Sequence, residues 1–289
     1  MRALLYSSFL VLSSSLVLAQ QDSGFTKKAE AQNKYTIAPK DDTIREGKWV
    51  TYCDSDYNVV KEGPSAMYYR LACYKQGKLF GMARFYYKDG KIRRELPFIN
   101  GKINGIQKEY YENGQLMSAW PFVNDNVNGV AKDYYENGQL EREVNFKDDN
   151  MDGIDTEYFN TGVIKAIVPF KSDLENGIIK EYYESGKLMD ELPYADDMEN
   201  GICKEYYESG QLSGEYAYKN DSLNGIAKEY YENGKLKSEA YYVNGKEDGT
   251  EKLYNEDGEL ESETKYTNGK EGTAIDYTRK RKQSRNSFR

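Results

Sequence analysis

Apolar and polar residues recur along most of the chain with a period of 24 residues. Glycines open successive units from Gly81 to Gly249, and a second glycine follows each opener nine residues later. When each opener is counted as position zero, position five is tyrosine in every unit, position eleven is leucine or isoleucine, and position seventeen is aromatic. Each unit is therefore expected to pack its recurring residues in the same way, as in a repeat array.

Each unit has the pattern of a β-hairpin. Positions one to six form an outgoing strand, positions seven to nine a tight turn whose glycine accepts a positive φ, and positions ten to seventeen a return strand. A three-residue loop pairs position six with ten, five with eleven and one with fifteen. This register predicts one apolar face, which in the second unit holds Ile106, Tyr110, Leu116, Trp120 and Phe122. The opposite, polar face then holds Gln107, Glu109, Tyr111, Gln115 and Ala119.

The repeats predict an all-β fold. We expect an elongated, single-layer antiparallel meander of about eight 24-residue hairpins over residues 81–275. Residues 47–80 break the period and are expected to form a small irregular N-terminal cap, because a terminal unit must protect an open sheet edge. Residues 20–46 are polar and predict a flexible segment.

The stretch NGIAKEYYENGKLKSEAYYVNGK at 224–246 carries the whole pattern. With its glycine-punctuated hairpin and its paired tyrosines, it resembles the MORN-repeat-variant family of bacterial repeat proteins, and the resemblance extends over residues 81–275. It implies a single-layer hairpin array that serves as a scaffold. Some members of the family are labelled antitoxins of toxin–antitoxin systems. The resemblance assigns no role to particular residues.

Two rows of aromatic residues receive different interpretations. The row at position five lies on the predicted apolar face and is interpreted as a structural ladder: Tyr86, Tyr110, Tyr134, Tyr158, Tyr182, Tyr206, Tyr230 and Tyr254. The row at position six lies on the predicted polar face, where exposed aromatic rings make good contacts to proteins or sugars. This candidate binding surface comprises Tyr87, Tyr111, Tyr135, Phe159, Tyr183, Tyr207 and Tyr231. Cross-strand shielding of the sheet is the alternative interpretation.

Composition argues against an enzyme. The chain of 289 residues contains no histidine, which removes histidine nucleophile pairs, general bases and zinc ligands. Its net charge of −8 argues against nucleic-acid binding. A calcium-loop-like start at 148–153 lacks the closing glutamate, because its twelfth position is Phe159. We therefore expect no catalytic residue, no metal site and no cofactor.

The N-terminus is typical of a secretory signal. Arg2 precedes an apolar stretch at 3–18, and small residues lead to a cleavage site after Ala19. A membrane anchor is the alternative, although the apolar run is short for a span. Residues 1–19 are therefore predicted to be a signal peptide, and the protein is expected to be exported to the periplasm, the cell surface or the medium.

Export permits a disulfide bond. Cys53 and Cys73 both lie in the predicted cap and form the natural pair, with free thiols as the alternative. Cys203 is interpreted as a small filler within its repeat. The basic tail at 276–289 is expected to be disordered and solvated, with contact to an anionic surface such as lipid headgroups as the alternative.

These observations predict an exported, non-enzymatic repeat protein that serves as a protein–protein interaction scaffold or binding surface. One alternative is a carbohydrate or cell-envelope binder that uses the position-six aromatics. The other is an antitoxin or immunity-type neutralising partner, as the family labels suggest. The expected partner is an unidentified protein or a second copy of the chain. A glycan is a further ligand class, nucleic acid is not expected, and membrane contact is expected only through the basic tail.

Overall fold

The computed structural model describes residues 33–35, 45–56 and 58–278, and in these ranges 25 β-strands lie between Asn33 and Asp276. The predicted signal peptide, most of the polar segment and residues 279–289 of the basic tail lie outside the described residues. In the described part of the chain, no helix has the length and apolar character needed to cross a membrane. The chain divides into two compact units, unit 1 (residues 1–102) and unit 2 (residues 103–289).

Unit 1 contains the N-terminal strands. They are β1 (Asn33–Tyr35), β2 (Gly47–Cys53), β3 (Val59–Val60), β4 (Tyr68–Lys75), β5 (Lys78–Tyr87) and β6 (Ile92–Ile99), and β7 (Lys102–Ile103) begins at its last residue. β1 pairs in parallel with β2, whereas β2–β3, β2–β4, β4–β5 and β5–β6 are antiparallel pairs. The residues of the expected cap, 47–80, thus form β2, β3, β4 and the start of β5.

A compact apolar cluster lies in unit 1. It contains Val50, Tyr52 and Leu71, whose exposed fractions are 3% or less, together with Tyr86. The ring of Tyr86 stacks on that of Tyr69 with centroids 4.8 Å apart. Fully burying a side chain such as leucine stabilises a fold by roughly 1.5–3 kcal/mol. Unit 1 therefore gains much of its stability from ordinary apolar packing.

The predicted disulfide bond is wrong, because Cys53 and Cys73 are both free thiols. In the β2–β4 ladder Cys53 lies opposite Tyr68, whereas Cys73 lies opposite Lys48. The two cysteines are thus five residues apart along the ladder, which is roughly 17 Å at the rise of a strand. A disulfide requires Cα atoms within about 7 Å. The prediction rested on both cysteines lying in the cap region. It could not take account of the β2–β4 register, which separates them.

Unit 2 is an open antiparallel meander. Its strands are β8 (Gly105–Tyr110), β9 (Leu116–Val123), β10 (Asn126–Val127), β11 (Gly129–Tyr134), β12 (Leu140–Lys147), β13 (Asn150–Tyr158), β14 (Ile164–Lys171), β15 (Leu174–Glu175), β16 (Gly177–Tyr182), β17 (Leu188–Ala195), β18 (Met198–Tyr206), β19 (Leu212–Lys219), β20 (Ser222–Tyr230), β21 (Leu236–Val243), β22 (Lys246–Glu247), β23 (Gly249–Tyr254), β24 (Leu260–Thr267) and β25 (Lys270–Asp276). Each outgoing strand pairs with its return strand, and each return strand pairs with the next outgoing strand.

The hairpin register agrees with the prediction near the turn and departs from it farther along. Tyr110 lies opposite Leu116, and the amide of Tyr111 donates to the carbonyl of Gln115 at 2.9 Å. A bulge at position twelve then shifts the ladder by one residue, so that Ile106 lies opposite Pro121 rather than Trp120. The same shift occurs in each of the other six hairpins of unit 2.

The bulge overturns the predicted distribution of side chains between the two faces, because residues beyond a one-residue shift project from the opposite side. Trp120 and Phe122 do not share a face with Ile106, Tyr110 and Leu116, and Ala119 changes face as well. One side of unit 2, the acidic face, carries positions two, four, twelve, thirteen, fifteen and seventeen. The other side, the tyrosine face, carries positions one, three, five, eleven, fourteen and sixteen.

Burial at positions one and two reflects the corrected register. The position-one side chains Ile178 and Ile202 on the tyrosine face are 54% and 58% exposed. The position-two residues Ala131 and Cys203 on the acidic face are each only 2% exposed. Burial, followed by the nearby Glu199 carboxylate, raises the pKa of Cys203 to about 12, so this thiol stays protonated at neutral pH.

The turns that link neighbouring repeats are joined by reciprocal hydrogen bonds. Asp148 and Asp149 both have positive φ, 50° and 69°, as in a type I′ turn. The amide of Asp149 donates to the carbonyl of Val127 at 3.0 Å, and the Asp149 carboxylate accepts from the amide of Val127 at 2.6 Å. The same exchange joins Asp125 to Ile103, Asp173 to Met151, Asp197 to Glu175 and Asp221 to Glu199. We call this contact the aspartate clamp.

We expect Asp149→Gly to destabilise unit 2 by about 1–2 kcal/mol, because an ionised acceptor of a backbone amide is lost while glycine keeps the positive φ. Thermal unfolding followed by circular dichroism measures the effect. Asp149→Asn is the matched control, since it retains a side-chain oxygen and should lose less. If Asp149→Gly unfolds at the same temperature as the unsubstituted protein, the clamp does not stabilise the array.

Candidate functional site

The position-five tyrosines contact charged side chains on the tyrosine face. The hydroxyl of Tyr206 donates to Glu191, at position fourteen of the preceding repeat, at 3.1 Å. Glu191 also pairs with Lys180 at 3.1 Å. Tyr230 donates to Glu215 in the same way. Burial, followed by the hydrogen bond to Glu191, raises the pKa of Tyr206. These tyrosines therefore link one repeat to the next.

The position-six tyrosines also bond to the next repeat. The hydroxyl of Tyr111 donates to the backbone carbonyl of Tyr134 at 2.7 Å. The same bond joins Tyr135 to Tyr158, Tyr183 to Tyr206, Tyr207 to Tyr230 and Tyr231 to Tyr254. All of these donor side chains, and those of Tyr87 and Phe159, are half-buried. The expectation that this row stands exposed is therefore wrong, because the following repeat supplies an acceptor for the hydroxyl.

The turn asparagines complete the connection between repeats. The side-chain oxygen of Asn113 accepts from the amide of Gln115 at 2.8 Å, and its amide group donates to the carbonyl of Glu136 in the next repeat at 3.3 Å. Asn137 and Asn233 make the same inter-repeat bond. The recurring tyrosines and asparagines thus hold the array together, and a binding site must be sought among other residues.

A groove of about 780 Å³ lies on the acidic face over the first three hairpins of unit 2. Its lining residues are Gln107, Glu109, Tyr111, Met117, Ser118, Trp120, Asp133, Tyr135, Glu141, Arg142, Glu157, Tyr158 and Lys165. Positions twelve, thirteen and fifteen, which supply Met117, Ser118 and Trp120, change from one repeat to the next. The groove is therefore chemically distinct from the rest of the array.

Polar contacts fix the walls of the groove. The indole nitrogen of Trp120 donates to the Asp133 carboxylate at 2.9 Å. The Nε of Arg142 lies 3.0 Å from both oxygens of Asp155, whose side chain is almost fully buried. A buried carboxylate requires such a partner, and the hydrogen bond to Asp155 is the main cause that raises the pKa of Arg142. Lys165 pairs with Glu157 at 2.9 Å.

The two faces of unit 2 differ in charge. The acidic face carries eleven carboxylates, Glu109, Asp133, Glu141, Asp155, Glu157, Glu181, Asp190, Glu205, Glu229, Glu251 and Glu261, against three cations, Arg142, Lys165 and Lys237. The tyrosine face carries seven lysines at positions three and sixteen against five glutamates at position fourteen. The negative charge of the hairpins is thus concentrated on the face that holds the groove.

The sequence prediction missed this groove. It placed Trp120 on a packed apolar face and did not consider Arg142 or Met117. The sequence does show that positions twelve, thirteen and fifteen vary between repeats. Only the bulge, however, places these three positions on one face. Within the described ranges, no group of three or more Cys, Asp or Glu side chains is arranged to hold a metal ion.

The family model described as the MORN repeat variant matches seven stretches of the chain, at 81–100, 103–124, 127–148, 175–196, 199–220, 223–244 and 247–268. These stretches cover more than half of the sequence. The chain belongs to the MORN repeat variant family. MORN repeats are commonly protein-binding or membrane-binding modules.

No curated protein matches the chain significantly. Among solved structures, the chain is similar to one chain of the crystal structure of TcdB2-TccC3-Cdc42, with 11% identity over 74% of this chain and a TM-score of 0.20. It spans 15% of the length of that chain.

One MORN repeat diverges from the rest, and it borders the groove. The family model passes from residue 148 to residue 175 without a match. The intervening repeat contributes Asp155, Glu157 and Lys165 to the groove region, and it carries Phe159 where its neighbours have tyrosine. The repeat that the family model does not match thus forms one border of the groove.

We expect Tyr135→Phe to destabilise unit 2 by about 1 kcal/mol, because the carbonyl of Tyr158 loses its inter-repeat donor. Phe159→Tyr is the matched reverse variant, since it adds the hydroxyl that Phe159 lacks and should stabilise the protein by a similar amount. Thermal unfolding compares the two. Unchanged stability of both variants would show that the hydroxyl is energetically neutral.

A pH-dependent effect is expected at Asp190, which lies opposite Glu181 and Glu205 on neighbouring strands. Burial, followed by repulsion from Glu205 and Glu181, raises the pKa of Asp190 to about 6. Protonated Asp190 therefore favours the folded state below the unfolded pKa of about 4. That stability is lost as the pH rises through about 6.

Asp190→Asn should accordingly weaken the fall in melting temperature between about pH 4 and pH 6 and should raise the melting temperature at pH 7. The control is Asp196→Asn, in the exposed turn that follows the same hairpin, which should keep the pH profile of the unsubstituted protein. A profile of Asp190→Asn that is superimposable on that of the unsubstituted protein would contradict this account.

Proposed function

We propose that the protein is an exported, non-enzymatic scaffold that binds a protein partner on the acidic face of unit 2. The observation that supports this proposal is the separation of two sets of residues. The repeated tyrosines, asparagines and aspartates bond to neighbouring repeats, whereas side chains such as Met117, Trp120 and Glu141 vary and line the groove. The first set holds the array together, and the second set is free to contact a ligand.

The composition of the groove suits a protein partner. Trp, Tyr, Met and Arg are enriched at the centres of protein interfaces, and the groove contains all four. The concentration of carboxylates on this face repels nucleic acid and anionic membrane surfaces. The basic tail at 276–289 is the part of the chain whose charge suits an anionic membrane surface. The absence of histidine from the sequence supports a non-enzymatic role.

Export is supported by the apolar stretch at residues 3–18 and the small residues that precede Gln20. An exported scaffold meets its partner outside the cytoplasm. Glycan binding through the position-six row has less support, because the tyrosine hydroxyls in that row donate to backbone carbonyls. No contact in the described residues favours the antitoxin alternative.

Site-specific photo-crosslinking tests the proposal. A photoreactive amino acid is placed at Ser118, in the groove, or at the neighbouring Ala119, on the tyrosine face, and the full chain is expressed in the exporting cell. We expect a protein adduct from position 118 in the exported fraction, and none from position 119. Equal adducts from both positions, or an adduct only from position 119, would contradict binding on the acidic face.

A further inference from the structure

We infer that the acidic face binds a cationic polypeptide segment that lies across the strands and presents a lysine or arginine at every third residue. This inference rests on the proposed function and specifies the chemistry of the partner. It is carried by three features of unit 2: the spacing of one row of carboxylates, the imbalance of charge on this face, and the aromatic groove at one end of the row.

The row consists of the position-four carboxylates, one in each of six successive repeats: Glu109, Asp133, Glu157, Glu181, Glu205 and Glu229. Successive members are separated by one return strand. Neighbouring strands lie about 4.8 Å apart, so the carboxylates recur roughly every 9.6 Å across the sheet. The array thus presents a regular series of negative charges.

This spacing matches one backbone conformation in particular. A polyproline II helix has three residues per turn and rises about 3.1 Å per residue, so residues i and i+3 lie on one side about 9.3 Å apart. An extended β-strand returns to the same side every second residue, at about 6.6 Å, and does not match the row. A segment with a cation at every third residue can therefore pair with successive carboxylates.

The central part of the row has the least internal compensation. Arg142 pairs with Asp155, Lys165 with Glu157, and Lys237 with Glu229, so the cations of this face already have partners. The two repeats that begin at Gly177 and Gly201 place Glu181, Asp190 and Glu205 on adjacent strands, and neither repeat has a lysine or arginine at positions two, four, twelve, thirteen, fifteen or seventeen. A bound cation would relieve the repulsion among these three carboxylates.

The groove supplies the apolar part of the surface. Trp120, Tyr111 and Tyr135 line it beside Glu109 and Asp133. Aromatic-lined grooves bind polyproline II segments because such segments are already ordered before they bind. The residues between the cations of the partner would therefore contact these rings while the cations contact the row.

Peptide binding to the full chain tests the inference. The probe is a peptide of about twelve residues in which arginine alternates with two prolines, which spans roughly 37 Å as a polyproline II helix. The control peptide has the same composition with its four arginines contiguous. Isothermal titration calorimetry at physiological salt compares the two. We expect the spaced peptide to bind about fivefold more tightly or better, because only its cations match successive carboxylates. Equal binding of the two peptides would overturn the inference.

Matched variants locate the binding surface. Glu181→Gln/Glu205→Gln should weaken binding of the spaced peptide about fivefold. Glu184→Gln/Glu208→Gln removes the same charge from exposed turns of the same two repeats and should leave the affinity unchanged. An equal loss of affinity in both double variants would show that binding depends only on the net charge of the protein, and would overturn the inference. Circular dichroism confirms that each variant is folded.

Two further results separate this inference from its alternatives. Arg279→Gln/Lys282→Gln/Arg285→Gln in the full chain should leave peptide affinity unchanged, and tighter binding would show that the basic tail of this chain occupies the face instead. If the spaced peptide has no advantage while Ser118 still yields crosslinks, the partner chemistry inferred here is wrong and the proposed function stands. If the crosslinks are also absent, the proposed function fails as well.

Discussion

The carboxylate of Asp149 accepts a hydrogen bond from the amide of Val127 in the preceding repeat, and four further aspartates repeat this contact along unit 2. Such contacts matter because a single-layer sheet buries little. Among the described residues, nineteen hydrophobic side chains are buried, and only seven of them lie in unit 2. Three of those seven are alanines. Apolar burial therefore contributes less to unit 2 than to an ordinary domain core, and hydrogen bonds between repeats contribute correspondingly more.

The repeated motif follows from this constraint. At the hairpin turn, the position-six tyrosine and the turn asparagine donate to backbone carbonyls of the next repeat. At the linker turn, the aspartate clamp joins the same pair of repeats at the other end of their strands. Repeats that make both contacts are thus held to their neighbours at both ends of their strands, while positions twelve, thirteen and fifteen of the acidic face can vary. That freedom allows the array to form a groove with Trp120 and Arg142 at one end of the row of position-four carboxylates.

The sequence predicted the hairpins and their turns because those features have local causes. Glycine at position nine accepts a positive φ, and paired tyrosines recur at fixed positions, so the pairing of Tyr110 with Leu116 was predictable. The bulge was not, because position twelve holds Met117, Glu141 or Lys165 and has no glycine or proline to mark it. One unpaired residue moved Trp120 to the other face, and the groove was missed with it. The separation of Cys53 from Cys73 depends likewise on a long-range register that neither residue encodes locally.

Amide hydrogen exchange in the unsubstituted protein tests most directly whether the aspartate clamp holds neighbouring repeats together. The amides of Val127, Met151, Glu175 and Glu199 each donate to a clamp carboxylate, whereas those of Leu223 and Glu247 face Gly245 and Gly269, which have no side chain to accept a hydrogen bond. All six occupy the same position of the repeat. The account predicts slow exchange at the first four amides and fast exchange at Leu223 and Glu247. Uniform exchange at all six would contradict it.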